Sequence, residues 1–117
     1  MARFTNLRVW HQARTLLRMV SEATRSMRAE GDLKSQLRRA AISVVSNIAE
    51  GSERGNDREF RHFLAIANGS AAEVEAQVII AADINCLDQQ TSKQIAEQCR
   101  YVGRMINRLV SRLEASG

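Results

Sequence analysis

Glu59 and His62 lie three residues apart, and together they spell the Glu-x-x-His pattern with which helical bundles hold carboxylate-bridged iron pairs. Such a centre needs the pattern on two helices and a further glutamate from each of the other two. Only one copy is present, and the other histidine, His11, follows Arg8 by three residues. No metal site and no cofactor are expected. Ser43, Ser46 and Ser70 fall in helical stretches where spacing identifies no neighbouring histidine–acid pair, so no nucleophile is assigned. The run SNIAEGSERG, Ser46 to Gly55, could suggest a phosphate cradle. A phosphate-binding loop would need Gly-Lys-Ser/Thr entering a helix, and a dinucleotide fold would need a strand before its glycines; neither occurs. Gly51 and Gly55 instead read as a helix stop, one supplying a left-handed C-terminal residue and the other preceding the next cap. Cys86 and Cys99 have neither paired-ligand nor disulfide-framework spacing and are expected as packed thiols. The sequence therefore predicts a protein with no catalytic residue, not an enzyme.

Two polar groups remain. Asn47 and Glu50 follow Val44 at steps of three, near the core face, and are expected to meet the start of the third helix around Arg58, Arg61 and His62 as a structural polar network. Arg100, Arg104, Arg108 and Arg112 recur at fours, making one basic stripe that drifts by about 40° per step. Such a stripe is either a solvated face or, repeated in an assembly, a surface for nucleic acid. Tyr101 is the one aromatic on that helix, so contact with backbone phosphate is expected. The chain carries 15 arginines against two lysines and a net charge of +4. GC-rich codon usage explains that bias as readily as arginine's fork for phosphate does.

These residues must be positioned by helices. The 117 residues fit one domain spanning 1–117, with 44% hydrophobic and 26% charged residues, no proline and six glycines. A first helix is read from Leu7, Trp10, Ala13, Leu17, Val20 and Thr24, capped by Thr5 or Asn6 and fraying by Ala29 to Gly31. Leu33, Leu37, Ala40, Ala41, Val44 and Ile48 mark the second, with Asp32 as its cap. The third begins after Asn56, paired with Glu59 in a capping-box pattern, and keeps one apolar stripe from Phe60 through Ala81 to about Asn85. Its stripe runs unbroken past Gly69 and Ser70, which are read as small residues opposing Leu37 to Ala40. A fourth starts at Asp88 or Thr91 and repeats Ile95, Cys99, Val102, Ile106, Leu109 and Leu113 as a coiled-coil-like seam. Short connections make neighbours antiparallel, which predicts an all-α, up-down-up-down four-helix bundle.

The third helix is apolar beyond what one bundle can bury. Ile66, Ala72, Ile79 and Ile80 fall outside its main stripe, so Ile66, Ile79 and Ile80 are expected at an interface, with self-association the economical partner. No apolar run approaches the roughly 20 residues that cross a bilayer, and the first ten residues lack a signal-peptide core. A cytoplasmic protein without membrane contact is expected.

Three stretches together resemble a known family: NLRVWHQA at Asn6 to Ala13, SQLRRAAISVVSNIAEGSERG at Ser35 to Gly55, and EFRHFLAIANGSAAEVEAQ at Glu59 to Gln77. They are similar to the four-helix-bundle proteins encoded in 23S rRNA intervening sequences, relatives of the accessory proteins of diversity-generating retroelements. The resemblance covers nearly the whole chain. It implies a cytosolic bundle assembled as a homopentamer, with no catalytic activity and a role tied to RNA or to a reverse-transcriptase partner. The combined expectation is an oligomeric bundle that associates with RNA, DNA or a nucleic-acid-processing protein; the alternative is an interaction scaffold that binds no nucleic acid.

Overall fold

The computed structural model describes residues 3–27 and 31–116. A short 3-10 turn, Phe4–Asn6, leads into α1 (Arg8–Ser26), which is followed by α2 (Leu33–Ser52), α3 (Asp57–Asp83) and α4 (Gln89–Ser116). Each helix packs on its neighbours in the chain, and α1 closes the square against α4. The result is an antiparallel four-helix bundle, 46 Å long and 19 Å across.

Local chemistry sets the helix ends. Asn56 Oδ1 accepts the Glu59 backbone N–H at 2.8 Å, while Asn56 Nδ2 donates to the Glu59 carboxylate at 2.8 Å, so the expected box starts α3. At the other end of α3, Asn85 takes a left-handed φ of 62°. The Cys86 N–H reaches back to the Ala81 carbonyl and the Asn85 N–H to that of Ala82, a Schellman closure that stops the helix two residues short of the expected Asn85. Asp88 caps α4 by accepting the Thr91 N–H at 2.9 Å. Hydrogen bonds from Thr91, its side chain foremost, hold the Asp88 carboxyl below its ordinary range.

The start of α1 differs from expectation. Thr5 and Asn6 lie in the 3-10 turn, and Leu7 holds the cap position with no side-chain bond. The Thr5 carbonyl accepts instead from His11 Nε2 at 2.8 Å. The buried stripe of α1 is Val9, Ala13, Leu16, Val20, Ala23 and Thr24, rotated from the expected one, so that Leu7, Trp10 and Leu17 sit at its edge. Trp10 stands there against the Phe4 ring, 4.8 Å between centroids. α1 ends at Ser26, and the expected fraying at Ala29 lies outside the described residues.

Gly51 and Gly55 play different parts from a shared helix stop. Gly55 is left-handed at φ +86° and turns the chain into the Asn56 cap. Gly51 is still helical and buried, and a Cβ there would lie 2.7 Å from Phe63 Cβ and 3.0 Å from Phe60 Cδ1. The last turn of α2 therefore rests directly on α3, which sets the register of the hairpin. Ser43 Oγ meets Ser70 Oγ at 2.8 Å, and seven residues along both helices in opposite directions Gln77 Nε2 donates to Gln36 Oε1 at 3.5 Å. Ser70 thus opposes Ser43 and not Leu37 to Ala40. The pairing is about one turn from the expected one, because α2 runs on to Ser52 and the chain reverses nearer Gly55.

That register separates Asn47 from Glu50. Asn47 Nδ2 donates to the Ser43 carbonyl at 2.8 Å and to Ser43 Oγ at 3.0 Å, joining the seam between α2 and α3. Glu50 is exposed and pairs with Arg54 one turn on, at 3.2 Å, and does not face Arg58, Arg61 or His62 as expected. Each step of three residues turns 300°, so two steps from Val44 carry Glu50 about 120° off the core direction.

Both cysteines are buried free thiols. Burial, reinforced by the nearby Glu75 carboxylate, pushes the Cys99 thiol up to about 12.

Three outcomes follow from this packing. Gly51→Ala should cost about 1–3 kcal/mol in urea denaturation despite alanine's better helix propensity, because Phe63 Cβ is fixed to its backbone and cannot swing aside; unchanged stability would show that α2 and α3 do not touch there. Asn47→Ala should cost about 1–3 kcal/mol, and Glu50→Ala less than about 0.5 kcal/mol, in the same assay. The reverse order would contradict the hairpin register. Between about pH 9 and 12 the unfolded Cys99 thiol ionises while the folded one stays protonated, so this group's contribution to stability is complete below pH 9 and falls as pH rises, by up to ~1.4 kcal/mol per unit. Cys99→Ala should flatten that part of the stability profile relative to wild type.

Candidate nucleic-acid interface

Between Arg100 and Arg112 the chain carries four arginines and no acidic residue. All four are exposed on α4, yet they do not form a single row with one outlook. Four residues turn 400°, so the row advances by about 40° at each step and by about 120° from Arg100 to Arg112. Arg100, at one end, leans toward α3 and donates to Glu75 at 2.8 Å. Arg104 lies over the Tyr101 ring at 6.0 Å, the outer limit of a cation–π contact. Arg108 and Arg112 have come round to the α1 side, where they line a groove with Asn6 and Arg8. The regular spacing at fours thus produces a basic band that winds obliquely across α4, from the α3 flank to the α1 flank.

Arg8 was not legible as part of this surface. It is one turn from His11 and reads as an ordinary solvated arginine until the antiparallel pairing of α1 with α4 is known. Gln98 Nε2 donates to both the carbonyl and the side chain of Gln12, at 2.9 and 3.0 Å. That level pairing brings the start of α1 beside Tyr101 to Arg112.

The outward side of α3 is the second unusual surface. Ile66, Ile79 and Ile80 are 40%, 45% and 48% exposed, and Ile42 of α2 and Ile84, which the sequence reading did not single out, are each 51% exposed. Between them Ala65, Gly69, Ala72 and Ala76 are exposed along the middle of the same helix. Nothing lies within 4 Å of where a Gly69 Cβ would stand, so Gly69 does not oppose Leu37 to Ala40 as expected but faces outward. By length and composition Asp57–Asp83 is apolar enough to cross a membrane, and one third of its most apolar window is buried inside the bundle. Leu64, Ala67, Ala71, Val74 and Val78 account for that inward side as core residues.

The residues first considered for chemistry are otherwise engaged. Glu59 caps α3 with Asn56, and exposed His62 stands edge-on to the Phe63 ring at 5.4 Å. Among the described residues no three His, Cys, Asp or Glu side chains are grouped to hold a metal ion. Ser43 and Ser70 bond to each other, and Ser46 donates to the Ile42 carbonyl at 2.8 Å. Asn47 belongs to the Ser43 seam, and Glu50 to a surface ion pair.

A crystal structure of a protein of unknown function from the S23 ribosomal protein family of Bacteroides thetaiotaomicron VPI-5482 superposes with a TM-score of 0.82. The match covers 87% of this chain and 97% of that one at 15% identity, which shows a shared fold. No curated protein matches the chain. The model of the 23S rRNA-intervening sequence protein family matches residues 5–108, from the turn before α1 to the last basic turns of α4. That span takes in α1, α2, α3 and α4 as far as Arg108, and the chain belongs to the 23S rRNA-intervening sequence protein family.

Proposed function

We propose that this bundle is a non-enzymatic subunit of a homo-oligomer, a pentamer, that holds RNA or DNA against its basic α4 band in the cytoplasm, without cofactor or membrane. The observation that carries the reading is the band itself: four exposed arginines within thirteen residues of one helix and no acid among them. Arg100 is drawn into an ion pair across helices, with Glu75. Arginine forks match phosphate oxygens, and repetition round a ring multiplies a modest local charge into a strong field. The family's name, which refers to 23S rRNA, is in keeping with an RNA setting.

The oligomer is supported by the outward side of α3. Isoleucines 40–51% exposed beside a strip of alanine and glycine form a surface that another helix can approach closely. The same surface favours the second reading, an interaction scaffold whose partner is protein alone.

Light scattering of the purified chain should give a mass near five times 13.1 kDa. Ile80→Glu should shift the mass toward that of one subunit while helix content is retained; a monomer at micromolar concentration in the wild type would sink the assembly. Affinity for RNA or DNA should fall with salt at a log–log slope of about 0.7–0.9 per phosphate neutralised. Arg104→Glu should lower both affinity and slope with assembly intact. If neither nucleic acid binds at low salt, the scaffold reading stands.

A further inference from the structure

The helices of the bundle are unequal, 19 residues in α1 against 28 in α4. With Gln12 level with Gln98, the start of α1 is level with about Gly103, and α4 runs on for roughly three more turns beyond it. The 3-10 turn Phe4–Asn6 fills this corner only in part. What remains is a groove of about 300 Å³ lined by Asn6, Leu7, Arg8 and Val9 on one side and Tyr101, Met105, Arg108, Leu109 and Arg112 on the other.

Three of those nine residues are arginines, contributed by two helices, and none is acidic. Arg8 and Arg108 are exposed and make no ion pair or hydrogen bond among the described residues. Their charge is therefore uncompensated at the groove's rim. The first turn of α1, which has no side-chain cap and no acidic residue, opens on the same space and adds to the positive potential. The floor is different: Leu7, Val9, Met105 and Leu109 are apolar, and Tyr101 presents a half-buried ring. Thioether and aromatic surfaces adapt well to a flat, polarisable ring.

We infer that this groove binds one nucleotide of a single strand, with its phosphate against Arg8 and Arg108 and its base on Tyr101 and the Met105–Leu109 floor. The inference rests on the nucleic-acid reading and sharpens it. A solvated arginine face would serve duplex and single strand alike through phosphate. An apolar recess between arginines adds a place that only an unpaired base can occupy, because a duplex keeps its bases stacked inside. The volume fits one nucleotide and no paired step, at the lower end of the range for ligand sites.

The test is a fluorescence-anisotropy titration of a labelled 12-nucleotide RNA, of the DNA strand of the same sequence, and of each annealed to its complement, at 50 and 200 mM salt. Wild type should prefer single strands of either sugar over duplex by about tenfold or more. Tyr101→Leu should remove most of that preference while leaving duplex binding unchanged. Arg8→Ala combined with Arg108→Ala should weaken single strands by about tenfold and reduce the salt slope, whereas Arg25→Ala, at the far end of α1 and paired with Glu22, should change affinity less than about threefold. A 5-bromouridine strand should photo-cross-link within Tyr101 to Leu109. If wild type binds nucleic acid but duplex as tightly as single strand, or if the Arg8/Arg108 variant binds as wild type, the groove is not the site and the α4 band alone survives. Absence of all binding at 50 mM salt would overturn the nucleic-acid reading and the groove together.

Discussion

The contact of Gly51 with Phe60 and Phe63 fixes the rest of the bundle. One missing side chain lets the last turn of α2 lie on α3 within the reach of a single Cβ. Asn56 then starts α3 immediately after the left-handed Gly55. Once that register is set, Ser43 must meet Ser70 and Gln36 must meet Gln77, since both pairs recur at two-turn intervals along antiparallel helices. Ser92 then bonds the Val78 carbonyl, and Asn68 approaches Asn107, tying α4 to the other flank of α3. With α2 on one side and α4 on the other, α3 keeps one face inward and leaves the face of Ala65, Gly69, Ala72, Ala76 and Ile80 outward. The apolar outward surface is thus a consequence of register and helix length, not a separate feature laid on the fold.

Unequal helix length has the second large effect. Because α1 is short, the C-terminal half of α4 lacks its α1 neighbour, and the drift of the arginine row brings Arg108 and Arg112 round to that side. Arg8 arrives from the opposite direction at the same corner. A helix-only description of the row would spread its charge evenly along α4. The bundle instead neutralises one end through Glu75 and gathers the other at a groove.

Much of this was legible in the residues. Four helices, the Asn56–Glu59 box and the α4 seam from Ile95 to Ile106 follow from periods and caps that are local, and the structure holds them as read. What escaped depended on which neighbour a face meets. Gly51 and Gly55 both bracket a turn, and composition does not say that α2 continues through the first before the chain reverses at the second. Glu50 shared a three-residue spacing with Asn47, but three falls short of a helical turn, so the error grows with each step. Trp10 and Leu17 matched the period of α1 as well as Val9 and Leu16 do; in the bundle Val9 and Leu16 take the core, and the indole lies at the edge, tilted against the Phe4 ring. Arg8 became a groove residue only through the pairing of Gln12 with Gln98, a contact between residues at opposite ends of the chain.

The role proposed for this bundle is to hold nucleic acid through α4 and the corner beside α1. The most direct measurement is recovery of the tagged protein from its own cells after cross-linking, with sequencing of bound nucleic acid and mass spectrometry of bound protein. RNA or DNA should be enriched over a tag-only control and depleted when Arg104 and Arg108 are both replaced by glutamate. Recovery of partner protein with no nucleic acid above that control would contradict it.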